Sequence, residues 1–100
     1  MGSCSCGGSL VQAQVRSAVG PGVMLAALDV ADRASVDRFV AAVGIALGAP
    51  TVLVNAAGVY HEAFLHDHSD DAWDDQIEIN LSGAFRMTRA VFSGMIDAGW

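Results

Sequence analysis

Two short apolar runs that bracket one amphipathic stretch constrain this chain more than any other feature. Residues 23–28 are wholly apolar and end on Asp29, and residues 51–54 read Thr-Val-Leu-Val and end on Asn55. A continuous apolar run of this length suits a strand buried on both faces, and the second run is rich in β-branched residues. Between them Val36, Phe39, Val40, Val43 and Leu47 recur at three- and four-residue spacing. That spacing predicts a helix, opened at Asp32 or at Ala34-Ser35 and broken by Gly48-Ala49-Pro50. Strand, helix and strand within about thirty residues is the length of a βαβ unit, with parallel strands and a right-handed crossover. An α/β fold is expected.

Residues 1–9 are rich in Gly, Ser and Cys and read as a disordered N-terminal segment. Cys4 and Cys6 form a Cys-x-Cys pair, poorly placed for a disulfide and too few for a zinc site. Residues 10–19 carry a short helical pattern that Gly20-Pro21-Gly22 stops. Residues 58–69 form a polar loop, after which Ser69 is a good N-cap and Asp70 and Asp71 suit the helix dipole. A helix is then predicted over 70–98. Trp73, Ile77, Leu81, Phe85, Thr88, Phe92 and Ile96 form one stripe, and Ala84, Met87, Val91, Met95 and Ala98 widen it to about half the circumference. Such a helix needs two partners, its own sheet and something else.

One hundred residues make one domain at most. The net charge is −6 and all five basic residues are thinly spread arginines, so no patch exists to neutralise nucleic-acid phosphates. No apolar run approaches a bilayer span and the N-terminus lacks the pattern of a signal peptide, so no membrane role is expected and a cytoplasmic location is. Hydrophobic residues make up 53% and charged ones only 16%, which suggests that some burial partners of this chain lie outside it.

Three clusters could carry chemistry. Asp29-Val30 closes the first run, Asn55-Ala56-Ala57-Gly58 closes the second, and Asn80 lies within the long helix. In an open parallel sheet, ligands bind beyond the carboxyl ends of the strands. Asn55 can fix its turn by side-chain hydrogen bonds, and Ala56, Ala57 and Gly58 leave room for a flat ligand near the backbone. Taken singly, each has a plainer reading: Asp29 as a helix cap, the Asn-Ala-Ala-Gly turn as an ordinary loop, Asn80 as a solvated residue. Their joint order and spacing favour a site. His61, His66 and His68, with Glu62 and Asp67, imitate metal ligands, but no spacing fixes their geometry, and they read as a solvated loop with no metal.

The stretch 28–100 resembles the short-chain dehydrogenases/reductases. That family carries an Asp-Val pair after its third strand and an Asn-Asn/Ala-Ala-Gly motif after its fourth. It also has an Asn in the next helix, within a segment like Ile79-Asn80-Leu81-Ser82-Gly83. The tail 94–100 is similar to the acetoacetyl-CoA and 3-oxoacyl-acyl-carrier-protein reductase branch. The resemblance implies a fragment of a Rossmann-type doubly wound parallel sheet, in the order helix, strand, helix, strand, long helix, with residues 10–100 a partial NAD(P)-binding domain. It implies an oxidoreductase that uses NAD or NADP on a small carbonyl or alcohol substrate, and a homo-oligomer paired through helix 70–98. Asp29 would accept from the adenine amino group, and Val30 would offer backbone contacts to the ring. Asn55, Ala56, Ala57 and Gly58 would support the central sheet and line the adenine ribose site. Asn80 would kink its helix and hold a water that relays protons to a catalytic lysine.

The chain departs from the family in ways that bear on activity. It has no Gly-rich Thr-Gly-x-x-x-Gly-x-Gly turn, so no helix N-terminus is offered to a pyrophosphate. It has no lysine, and its only tyrosine, Tyr60, lies in the loop, so the family's Tyr-x-x-x-Lys acid has no counterpart. A truncated, inactive member of the family is therefore expected. The competing classes are a non-catalytic product acting only through helix-mediated subunit association, and a metal-binding module resting on the loop histidines. The choice between NAD and NADP falls at the end of the second strand, which has no match here.

Overall fold

Asp32 starts the first helix: its carboxylate Oδ1 accepts the Ala34 N–H at 3.1 Å, a side-chain cap on an otherwise unpaired donor. The helix, α1, spans Arg33–Leu47. It stops at Gly48, whose φ of 87° lies in the left-handed region that glycine tolerates best. The computed structural model describes residues 14, 15 and 17–99. Of the expected helix 10–19, residues 14, 15 and 17–19 are helical. The remainder, and the 1–9 segment with Cys4 and Cys6, fall outside the described residues.

After a long irregular stretch and a 3-10 turn at Leu65–Asp67, Ser69 Oγ accepts the Ala72 N–H at 3.1 Å and opens α2, Asp70–Gln76. A π-helical segment, Ile77–Ser82, leads without a gap into α3, Gly83–Asp97. The single helix expected over 70–98 is thus divided in three. Within the middle part the Gly83 N–H donates to the Glu78 carbonyl, five residues back, so the turn is one residue wider than in an α-helix. Among the described residues, no helix is long and apolar enough to cross a membrane.

The expected strands at 23–28 and 51–54 are not part of a β-ladder, and no strand occurs among the described residues. The physical reason lies in sheet order. In a doubly wound 3-2-1-4-5-6 sheet the third and fourth strands are not neighbours, and none of the described residues supplies the two that stand between them. Each run still contributes to the core: Leu28 and Leu53 pack against its edge.

That core is small. Val30 and Val36 meet Met87 where α1 lies on α3, with Phe39, Val40, Ile79 and Ala90 around them, and Val91 is also buried. Gly83 makes the closest approach. A Cβ built there would stand 2.6 Å from Val30 Cγ2 and 2.9 Å from Val30 Cβ, so only hydrogen fits. Gly94, on the same helix, would place its Cβ at an ordinary 3.5 Å from Ala49. Gly83→Ala is therefore expected to destabilise the chain by about 1–3 kcal/mol through overpacking. Gly94→Ala should raise stability by about 0.5–1 kcal/mol, the helix preference for alanine over glycine. Opposite shifts of the urea midpoint check both, and equal shifts would refute the packing argument.

Candidate functional site

The end of the first run folds into a tight turn around Asp29. The Asp32 N–H donates to the Asp29 carbonyl at 3.1 Å, and the Ala31 N–H donates to Asp29 Oδ1 at 3.0 Å. The Asp29 N–H in turn donates to Ser35 Oγ at 2.9 Å. Asp29 thus forms an Asx turn, while Asp32 caps α1. One carboxylate oxygen of Asp29 is committed to Ala31, and the side chain stays partly exposed where α1 begins. Val30 turns its side chain into the core, while its carbonyl accepts from Arg86 Nη1 at 3.0 Å.

The second run ends differently from expectation. Asn55 does not bond within its own turn: its Nδ2 donates to Thr88 Oγ1 on α3 at 3.3 Å. Ala56, Ala57 and Gly58 follow as an exposed, small-residue stretch. At Val59 the chain is gripped from the helix. Asn80 Oδ1 accepts the Val59 N–H at 2.8 Å, and Asn80 Nδ2 donates to the Val59 carbonyl at 2.8 Å. The side-chain amide pairs with the main-chain amide as a neighbouring strand would, using both its donor and its acceptor. Gly58 accommodates this pairing, since a Cβ there would stand 3.2 Å from Asn80 Oδ1.

The three clusters found in the sequence are therefore fastened to one helical rod. Asn80 holds the Gly58-Val59 end, Gly83 and Arg86 hold Val30, and Thr88 holds Asn55. The sequence pattern did not single out Val59, Gly83, Arg86 or Thr88 for these contacts. A small residue three positions after Asn80, on the same helix face, was the one available signal.

The loop histidines spread out instead of converging. His61 Nε2 lies 2.9 Å from Asp75 Oδ2, His68 Nε2 lies 3.1 Å from Gln76 Nε2, and His66 Nε2 lies 3.4 Å from Asp67 Oδ2. No three His, Cys, Asp or Glu side chains gather into a cation site among the described residues. The outward face of α3 carries a shallow apolar depression lined by Phe85, Thr88, Arg89, Phe92, Ser93 and Ile96, with the Arg89 guanidinium 4.8 Å above the Phe85 ring.

The family model described as short chain dehydrogenase matches residues 7–100. A D-threitol dehydrogenase of Mycolicibacterium smegmatis is 45% identical over 73 residues, which cover 73% of this chain and 28% of that protein. The 3-oxoacyl-acyl-carrier-protein reductase FabG of Salmonella typhimurium is 38% identical over 77 residues, 77% of this chain and 30% of that protein. The chain thus spans between a quarter and a third of the length of these relatives. Among solved structures, the serine dehydrogenase of Escherichia coli superimposes with a TM-score of 0.78 at 30% identity, over 86% of this chain and 40% of that one. A short-chain dehydrogenase/reductase of Burkholderia xenovorans gives a TM-score of 0.80 at 31% identity, over 92% of this chain and 37% of that one.

Proposed function

The chain belongs to the short-chain dehydrogenase family, and we propose that it supplies the adenosine-recognising part of an oxidoreductase acting on a small carbonyl or alcohol substrate with NAD or NADP. The observation that carries this reading is the fastening of the Asp29-Val30 turn, the Asn55–Gly58 stretch and Asn80 to one helical rod. An acceptor, an exposed small-residue stretch and a helix widened at the turn that carries an asparagine then hold fixed mutual positions.

The donor set fits the adenosine half of a dinucleotide. A carboxylate accepts from an exocyclic amine, and Asp29 is held by backbone bonds that leave part of its carboxylate exposed. Ala56, Ala57 and Gly58 present no bulk to a ribose. Asn80, its side chain spent on Val59, fixes the wide turn beside which a proton-carrying water would be held. When bound, the nicotinamide would supply a hydride to a carbonyl or take one from an alcohol, while this chain's residues orient the adenosine and steady the turn. Residues 10–100 form, on this reading, part of the NAD(P)-binding domain. The exposed outward face of α3 is the surface through which two copies would pair, with sedimentation as its readout.

Titrating adenosine monophosphate into the labelled chain, with amide shifts as the signal, tests the site. Shifts are expected at Val30, Ala31 and the 55–58 stretch, and Asp29→Ala should abolish those at Val30 and Ala31. Shifts confined to other residues, or none at all, would overturn the reading.

A further inference from the structure

Val30 is gripped from two directions by the same helix. Gly83 lets α3 press directly on its side chain, with no room for even one methyl group. Arg86, one turn further on, reaches its carbonyl through Nη1 at 3.0 Å. The other nitrogen of the guanidinium, Nη2, meets the carboxylate of Glu78, which belongs to the π-helical segment two residues before Asn80. The Arg86 side chain is only 16% exposed while that of Glu78 is 45% exposed, so the part-buried, charge-assisted bond to the Val30 carbonyl is the inner half of the linkage and Glu78 holds the guanidinium from its solvent side. The planar guanidinium donates to the carbonyl and to the carboxylate from two nitrogens held at fixed spacing, whereas a lysine would have to serve both from one nitrogen.

We infer that Arg86 is a positioning residue that locks the Asp29-Val30 turn to the helical segment carrying Asn80. The inference rests on the reading of Asp29 as the adenine acceptor and extends it to a residue that touches no ligand. Through Arg86 the adenine-facing turn and the wide helical turn move as one body. Thr88 and Asn80 hold the other loop by separate bonds, so loss of Arg86 frees the Asp29-Val30 turn alone.

Amide exchange of the full chain, read residue by residue for Arg86→Met with Arg89→Met as a same-helix control, tests this. The amides of Ala31 and Asp32, both bonded to Asp29, should exchange about tenfold faster in Arg86→Met, as expected when a hydrogen bond to a charged group is lost. Those of α1 should keep their parent rates, and Arg89→Met should leave both sets unchanged. Adenosine monophosphate should also bind Arg86→Met about tenfold more weakly at the turn, by the same loss of preorganisation. Arg86→Lys should recover part of either effect, because the charge survives and the fork does not. Unchanged exchange at Ala31 and Asp32, or equal acceleration throughout α1, would overturn the inference, the second outcome marking a merely general support of the fold. If the nucleotide moves the parent turn but binds Arg86→Met equally well, the positioning role falls and the adenine site stands. If it leaves the parent turn unmoved, the adenine site itself falls.

Discussion

Urea titration of the isolated chain, followed by circular dichroism, should give a shallow, low-midpoint transition instead of a sharp one. Among the described residues only four large apolar side chains, Val30, Val36, Met87 and Val91, are buried, whereas fifteen are exposed. Val52 at 71% and Val54 at 78% exposure belong to a run that would be enclosed in a complete sheet. Both runs lack a ladder, yet Leu28 and Leu53 lie against the core. Backbone groups drawn toward apolar surface without partners cost about 1–3 kcal/mol each, and a typical domain has only roughly 5–15 kcal/mol in hand. The expected slope is below the ordinary range for small proteins, about 1–3 kcal/mol per molar urea. A sharp transition with a slope inside that range would show that the α1–α3 contact and the fastened loops suffice for a cooperative fold.

Assayed with NADH or NADPH on ketone substrates, the same chain should give no turnover above the uncatalysed rate. A positioned general acid contributes roughly 100- to 10,000-fold to such a reaction, and this chain has no lysine to tune one. Tyr60, the only tyrosine, is 78% exposed in the loop before His61. Asn80 is oriented, with its side-chain amide bonded to both the N–H and the carbonyl of Val59. Turnover that disappears in Asn80→Ala would sink this expectation, because it would place a complete proton path within these residues.

Local pattern reached different depths in different parts of the molecule. Helix α1 was legible to its end at Gly48, a local glycine signal, while its start stood between Asp32 and Ala34-Ser35 and fell to the capping carboxylate of Asp32. Helix α3 was legible in position but not in orientation. The most regular apolar stripe, through Leu81, Phe85, Phe92 and Ile96, is the exposed one, while Gly83, Met87 and Val91 face the core. Periodicity reports which residues share a face and is silent on which face has a partner. The strands illustrate the converse: residues 23–28 and 51–54 carry the right composition, but a ladder needs a second chain segment that composition cannot provide. At the site, Asp29, Val30, Gly58 and Asn80 stood out by motif. Arg86 and Thr88 did not, because their partners lie 56 and 33 residues away and no local rule connects them.

The wide turn at Ile77–Ser82 makes the helix behave as a ratchet with one tooth added. Substituting Arg86 loosens the Asp29-Val30 turn, and substituting Asn80 or Thr88 removes one of the two attachments of the other loop. Deleting a single residue inside the wide turn would let an ordinary α-helix form and leave everything after it close to its present phase, because the wide turn spreads one extra residue over nearly the same rotation. In α3, by contrast, each residue removed turns the rest by about 100°. A deletion of Ala84 or Phe85 would swing Arg86 and Thr88 away from Val30 and Asn55 together. The helix thus has one place, the wide turn, where its length can change by a residue without uncoupling both loops, and the spacing beyond that place is the stricter requirement.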